Sequence, residues 1–225
     1  MVFFSPEDLN IIKNGPAERR RFIDMELCQL DKLYVHSLVQ YNRVLLQRNR
    51  LLKNWPLNRN MKQRWTFDEQ LVKYGVEVIT SRRLFIEQLG GIISGIHARL
   101  SGGKEEISVL YDPDIREEDF KAALEKNRSQ DIRQKTTLAG PHRDDINFIV
   151  NGIDIRRFGS QGQQRTAALS LKLSELELVK LVSRDAPVLC WMTFSQSLMQ
   201  PANPASVRNT GYSDHDHLYR AGRFC

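Results

Sequence analysis

The chain has 225 residues, of which 41% are hydrophobic and 27% are charged, with a formal net charge of +6. No apolar run approaches the roughly 18 residues of a membrane span, and no secretory leader opens the chain, so a membrane protein is excluded. The three cysteines match no metal or disulfide spacing, and we therefore expect a cytoplasmic, soluble globular protein of one or two domains.

Residues 1–17 predict the end of a larger structure. Val2-Phe3-Phe4 is typical of a buried strand, and Ser5-Pro6-Glu7-Asp8 predicts a turn or helix start behind it. A strand of three residues needs neighbours, and the sequence provides none upstream. We therefore expect a chain that is truncated at its N-terminus.

Apolar residues at steps of three and four predict two long helices between residues 18 and 103. One series runs from Ile23 to about Leu52 and the other from Leu71 to Leu100, with Trp55-Pro56 interrupting them. Two such helices joined by a polar turn form an antiparallel arm. A plain helical-bundle core would show the same periodicity, so that alternative stays open.

The positive charge of the chain is concentrated in this helical part. Residues 13–100 carry 16 Lys and Arg against 8 Asp and Glu, whereas residues 101–225 are neutral overall. A positive field favours a polyanionic partner such as nucleic acid, although a solvated basic surface has the same composition.

After residue 103 the pattern becomes mixed α/β. Alternating apolar residues predict a strand over 107–111, and an acidic start predicts a short helix over 116–126. Asn151-Gly152 favours the two-residue type I′ turn of a hairpin with strands at 146–150 and 153–156.

Residues 158–166 are the most informative segment. They form a turn rich in Gly and amide side chains that opens a strongly helical run, Ala167 to Lys180. Ser160 is a predicted N-cap, and the free N–H groups of the first helical turn attract anions. An ordinary N-cap without a ligand is the alternative interpretation. Residues 100–104 have a sequence similar to this segment, but they follow a predicted helix and precede a predicted strand. Their glycines therefore predict the end of a helix.

Three segments, in order, resemble the RecF family of ABC-type ATPases, which belongs to the SMC/Rad50-like branch. They are the stretch from Pro6-Glu7 through Gly15-Pro16 to Arg19–Asp24, the segment Gly140–Asp145, and the signature motif that begins at Ser160. The resemblance implies a partial α/β ABC-ATPase head with an inserted antiparallel α-helical arm. Residues 1–17 and 104–190 would belong to the head, and residues 18–103 to the arm.

The resemblance also implies a chemistry. In this family the signature motif reaches across a dimer to the γ-phosphate of ATP held by the other subunit. Ser160, Gln161, Gly162, Gln163 and Gln164 are therefore the expected cofactor-binding residues, with ATP and Mg²⁺ as cofactors.

The resemblance implies DNA as a partner, at single strands and gap junctions that arm arginines contact. It also implies RecR, RecO and RecA as protein partners, and an ATP-dependent homodimer of the protein itself. The implied function is DNA replication and recombinational repair, in which RecA is loaded and the SOS response is served. A non-enzymatic helical DNA-binding or scaffold protein is the competing interpretation.

The sequence departs from the family at both nucleotide motifs. It contains no Gly-x-x-x-x-Gly-Lys-Ser/Thr loop, and Val188-Leu189 continues as Cys190-Trp191-Met192-Thr193 where the family has acidic residues. The codons that can encode Cys190 to Thr193 also encode Leu-Asp-Asp when they are read in another reading frame. We therefore expect a frame shift near residue 190 and a disordered, out-of-frame tail over 191–225.

The family is a weak DNA-dependent ATPase, but without these two motifs we expect the chain alone neither to bind nor to hydrolyse ATP. No catalytic or metal-binding residue is assigned, and His215-Asp216-His217 is interpreted as a solvated segment.

Overall fold

The computed structural model describes residues 2–54, 61–183 and 189–191. The N-terminal half comprises β1 (Val2–Phe4), a 3-10 turn (Pro6–Asp8), α1 (Leu9–Lys13), α2 (Pro16–Leu30), α3 (Lys32–Lys53) and α4 (Met61–Leu100). The remainder comprises β2 (Ile107–Asp112), α5 (Phe120–Gln134), a second 3-10 turn (Pro141–Arg143), β3 (Asp145–Val150), β4 (Ile153–Asp154), α6 (Ile155–Phe158), α7 (Gln161–Ser183) and β5 (Leu189–Trp191). The part of the predicted out-of-frame tail that follows residue 191 lies outside the described residues.

Two small sheets are formed. β1 and β5 pair in parallel, with Val2 opposite Leu189, so the first strand finds its neighbour at the far end of the described chain. The other sheet is antiparallel in the order β2-β3-β4, with Ile107 opposite Val150. Alternate residues of β2 and β3 are buried, which is the pattern of strands that cover a core with one face.

The hairpin turn is confirmed, but its second strand is shorter than predicted. Asn151 and Gly152 have φ angles of 49° and 78°, which are the positive values that a two-residue turn of this kind requires. The prediction of strand at residues 155–156 was wrong because Asp154 caps a helix there. Its carboxylate accepts the Arg156 N–H at 2.9 Å.

The helix predicted over residues 116–126 begins and ends later, at Phe120 and Gln134. The chain leaves this helix through Lys135, whose φ of 56° is the left-handed conformation common after helices.

Helices α3 and α4 form an antiparallel pair. Along α3 the residue numbers of the hydrogen-bonded side chains rise while those of their partners on α4 fall. The pairs are Tyr34 with Arg82, Ser37 with Glu77, and Arg48 with Asp68. The helix predicted over residues 71–100 is therefore confirmed. The single helix predicted from Ile23 to about Leu52 is wrong, because the backbone is extended at Asp31, which ends α2 and caps α3 by accepting the Leu33 N–H at 2.8 Å. α4 continues without a break through Gly90-Gly91 to Leu100.

The predicted helix stop after Leu100 is also confirmed. Gly102 and Gly103 have φ angles of 65° and 73°, and the Gly103 N–H donates to the Ala98 carbonyl at 2.7 Å. This closure satisfies a carbonyl at the helix end, as a C-terminal cap does.

One hydrophobic core joins the helical pair to the strands. α4 packs against α3 at one end and against β2 and α7 at the other. Its fully buried side chains include Leu71, Val78, Leu89 and Ile93, which belong to the same cluster as residues of β2, β3 and α7. None of the helices in the described ranges is both long enough and apolar enough to cross a membrane.

Candidate functional site

The predicted signature segment is a tight bend between α6 and α7, which we call the signature bend (residues 158–164). It follows directly on the hairpin and the single turn of α6. A side chain at Gly159 would place its Cβ 2.5 Å from the Ile155 carbonyl oxygen and 2.8 Å from the Ile155 Cα. Glycine is needed at this position because the backbone folds back onto α6 in direct contact.

Ser160 caps α7, as predicted. Its Oγ accepts the Gln163 N–H at 3.2 Å, and the Gln163 Oε1 accepts the Ser160 N–H at 3.0 Å. This reciprocal pair is a capping box, which fixes the first turn of the helix. Within the described ranges, no acceptor pairs with the N–H groups of Gln161 and Gly162. The bend therefore presents two free backbone donors at the positive end of a 23-residue helix.

The five predicted residues differ in exposure. Ser160, Gln161 and Gly162 are exposed, and Gln163 is half-buried. Gln164 is only 8% exposed, and its amide donates to the Ile155 carbonyl at 2.8 Å. The first four residues face or border solvent, whereas the Gln164 side chain supports the bend from inside.

Arginines and one aromatic side chain surround the bend. Phe158 is 76% exposed, and Arg157 and Arg165 are exposed on either side of it. Arg156 is half-buried, with its guanidinium 3.7 Å from the Asp145 carboxylate. This side of the protein can therefore attract an anion by both its N–H groups and its cations.

The signature helix is anchored to α4 by a buried polar contact that the sequence did not reveal. The His97 Nδ1 lies 2.9 Å from the Ser170 Oγ, and the other ring nitrogen lies 3.3 Å from the Glu105 carboxylate. The Ser170 hydroxyl also donates to the Thr166 carbonyl at 2.7 Å. The end of α4 and the first half of α7 are thus held together below the bend.

A second anchor joins α7 to α2. The Lys172 ammonium lies 2.5 Å from the Glu175 carboxylate, and Glu26 is buried beside them. Burial, followed by repulsion from Glu175, raises the pKa of Glu26 to about 8. Glu26 is therefore largely protonated at neutral pH, so that two adjacent glutamates are not both charged.

The other two segments that carry the family resemblance meet in a buried ion network. We call it the junction network (Arg19, Asp24, Arg82, Asp144 and Asp145). Arg19 is 1% exposed, and it donates to both oxygens of Asp145 at 2.5 and 3.0 Å. Arg82 is 2% exposed, and it contacts Asp144 at 2.9 Å and Asp24 at 2.8 Å.

The Asp144 carboxylate accepts hydrogen bonds from three different residues. It accepts the Asp114 N–H at 3.0 Å and the Tyr111 hydroxyl, in addition to Arg82. Burial raises the pKa of the Asp144 carboxyl, and the Arg82 charge opposes that shift. The His142 ring lies beside this network, with its Nδ1 2.7 Å from the Tyr41 hydroxyl. Burial lowers the pKa of His142, which favours the neutral imidazole.

Three arginines of the predicted arm lie in the interior of the protein. Arg19, Arg48 and Arg82 are at most 2% exposed, and each is paired with an aspartate inside the protein. A guanidinium that is buried in such a pair lies away from the surface at which a phosphate would bind.

Curated proteins similar to this chain carry the name DNA replication and repair protein RecF. The protein from Lachnospira eligens is 59% identical over 192 residues, which is 84% of this chain and 53% of the relative. The proteins from Lachnoclostridium phytofermentans and Clostridium perfringens are 54% and 47% identical, with the same shares covered. The chain thus spans about half the length of the curated relatives it matches. No protein-family model matches it.

Two solved structures are similar to this fold. The structure of the recombination mediator protein RecF with ATP, in the RecFOR pathway, matches 84% of this chain and 53% of its own, with a TM-score of 0.80 at 38% identity. The RecF-ATPrS structure matches with a TM-score of 0.79 at 37% identity. The predicted ABC-ATPase head is thereby confirmed as the fold of this chain, while a separate helical arm stays a prediction.

Proposed function

We propose that this chain, which is homologous to RecF along the part they share, acts in DNA replication and repair by presenting a signature motif to ATP held by another subunit. The signature bend carries this proposal. It is exposed, it is fixed by a reciprocal cap, and it offers the free N–H groups of Gln161 and Gly162.

The roles of the five residues follow from their positions. Ser160, Gln161, Gly162 and Gln163 would contact the terminal phosphate, because backbone N–H groups and a helix N-terminus stabilise an anion without a charged side chain. Gln164 would hold the bend in shape through its bond to Ile155. Mg²⁺ would be bound with the ATP on the opposite subunit, so the pair of subunits would assemble only with nucleotide.

DNA would be held by exposed arginines next to the junction network. Arg21 and Arg143 are exposed, and Arg20 is half-buried with its guanidinium donating to the Asp144 carbonyl at 2.7 Å. Arg20 and Arg21 line one surface groove, where they would contact phosphates together. Contacts of this kind bind phosphates without reading sequence, so binding should weaken steeply with salt.

The wider assignments rest on the homologues. The partners would be RecR and RecO, as in the RecFOR pathway named for the solved RecF structure. Loading of RecA on gapped DNA, a role in the SOS response and a cytoplasmic location would follow. The antiparallel pair of α3 and α4 would serve as the helical arm.

Nucleotide-dependent association tests the proposal. The chain is mixed with intact RecF from Lachnospira eligens, and complexes are measured by sedimentation velocity with and without ATP and Mg²⁺. We expect a mixed complex only with nucleotide, and we expect Ser160→Arg to abolish it because the new side chain fills the phosphate position.

Ser101→Arg is the matched control, since residues 100–104 have similar letters but form a helix stop. It should leave the complex intact. A mixed complex that forms without nucleotide, or that survives Ser160→Arg, would contradict the proposed role of the bend.

A further inference from the structure

One face of α3 is exposed along its entire length. The positions are spaced by three or four residues, as on a single side of a helix. We call this face the α3 stripe, and its seven exposed residues are Lys32, His36, Val39, Arg43, Leu46, Arg50 and Lys53.

The α3 stripe is basic without any internal compensation. α3 contains no Asp or Glu, and among the described residues no carboxylate pairs with Lys32, Arg43, Arg50 or Lys53. Arg48, on the opposite face of the same helix, shows the contrast. It is fully buried and contacts both Asp68 and Asp131 at 2.7 Å.

Aliphatic side chains alternate with these cations. Val39 is 56% exposed and Leu46 is 54% exposed, and Leu33 beside them is 78% exposed. At the same end as Leu33, a groove of about 500 Å³ opens between α3 and α4, lined in part by His36 and Tyr74. The exposed surface is therefore basic and apolar together, and it extends into a groove.

We propose that the α3 stripe docks an acidic, amphipathic helix of another protein. The unpaired cations require carboxylates, and the aliphatic positions require apolar side chains at the same helical spacing. The stripe is about 30 Å long, which accommodates some five or six turns of a partner helix. A DNA backbone would satisfy the cations but would leave Val39 and Leu46 without apolar partners.

The chain's own remaining segments do not have this chemistry. Residues 55–60 contain one Arg and no acidic residue, and residues 192–225 contain three Arg against two Asp. Neither of these two segments supplies the acidic, amphipathic helix. This inference is independent of the proposed role of the signature bend.

A synthetic peptide tests the proposal. The probe is a fluorescein-labelled helix of about 20 residues with Leu and Glu at helical spacing, and its binding to the chain is measured by fluorescence anisotropy. We expect Val39→Ser with Leu46→Ser, and separately Arg43→Gln with Arg50→Gln, each to weaken binding by roughly tenfold or more.

Lys121→Gln with Lys126→Gln on α5 is the charge-matched control, since both lysines are exposed, and it should change binding less than about twofold. Circular dichroism checks that each variant keeps its helix content. Because all six positions are on the surface, the variants should fold.

A gapped DNA duplex, labelled in the same way, tests whether the stripe binds nucleic acid rather than a helix. If the peptide does not bind, or if binding ignores the Val39 and Leu46 changes, the docking proposal is wrong. DNA binding that falls with the Arg43 and Arg50 changes, together with no peptide binding, would identify the stripe as a phosphate surface instead.

Discussion

The signature bend and the junction network both carry the resemblance to RecF, yet the protein uses them in opposite ways. In the bend, Ser160, Gln161 and Gly162 are exposed, and two backbone N–H groups are free within the described residues. In the network, Arg19, Arg82 and Asp144 are at most 2% exposed and bonded several times over. One motif presents free donors at the surface, and the other holds three parts of the chain together.

The difference shows that a charged motif does not by itself indicate a binding site. The junction network joins α2, α4 and the segment before β3 through arginine–aspartate contacts. Removal of one partner from such a buried pair leaves an uncompensated charge, which costs more than the pair contributes. Substitutions in the network should therefore affect folding, and substitutions in the bend should affect association.

The largest effect is expected for Arg82→Met. It would leave Asp24 and Asp144 without their shared cation, and we expect a loss of about 3–5 kcal/mol in the free energy of unfolding. Urea unfolding followed by circular dichroism measures it. Arg83→Met is the control, because the Arg83 side chain is 42% exposed and its pairs with Glu87 and Glu117 are at the surface. It should cost much less than Arg82→Met, because solvent screens exposed ion pairs.

Glu26→Gln should change how stability depends on pH. The folded-state pKa of Glu26 is about 8, against roughly 4.3 in an unfolded chain. Between these two pKa values the folded state keeps a proton that the unfolded state releases. The contribution of Glu26 to the free energy of unfolding is therefore complete below about pH 4 and is lost as the pH rises through about 8.

Glutamine imitates the protonated carboxyl and cannot ionise, so this loss should be absent in the variant. Melting temperatures of both proteins between about pH 5 and pH 8 measure the difference. Parallel profiles for the two proteins would show that Glu26 is charged in the folded state.

Gly140→Ala should destabilise the protein next to the junction network by about 1–3 kcal/mol. Gly140 has a φ of 136°, and a Cβ there would lie 2.5 Å from the Tyr41 hydroxyl and 3.0 Å from the Phe120 ring. Strain and overlap thus act together. Thermal unfolding measures the change, and Gly91→Ala, with open space around its Cβ, is the matched substitution that should not destabilise.

Gly162→Ala should have the smallest effect on stability and the opposite sign. Its Cβ would meet only the Ser160 Oγ at 3.8 Å, and alanine favours a helix over glycine by up to about 1 kcal/mol. The added methyl group should nevertheless obstruct a phosphate and weaken ATP-dependent association with intact RecF. A variant that is both less stable and fully competent in association would reverse the contrast between the two regions.

Local features of the fold could be predicted from the sequence, whereas long-range contacts could not. The Asn151-Gly152 turn, the Ser160 cap and the helix stop at Gly102-Gly103 each depend on a few adjacent residues. The short helix α6 was missed because Asp154 competes locally with strand pairing.

The buried arginines were missed because a charge count does not separate the two faces of a helix. The periodicity contains that information, since Arg48 is on the same face as Tyr41, Val44 and Leu52, which are all buried. In contrast, the contact between His97 and Ser170 joins residues 73 positions apart, and no local pattern indicates it.

The parallel pairing of β1 with β5 has a consequence for biosynthesis. Val2 is synthesised long before Leu189, its partner in the parallel pair. At bacterial or eukaryotic elongation rates the wait is roughly 10 to 40 seconds, during which an apolar strand has an open edge. A nascent chain with this topology would benefit from a chaperone that shields β1 until β5 has been synthesised.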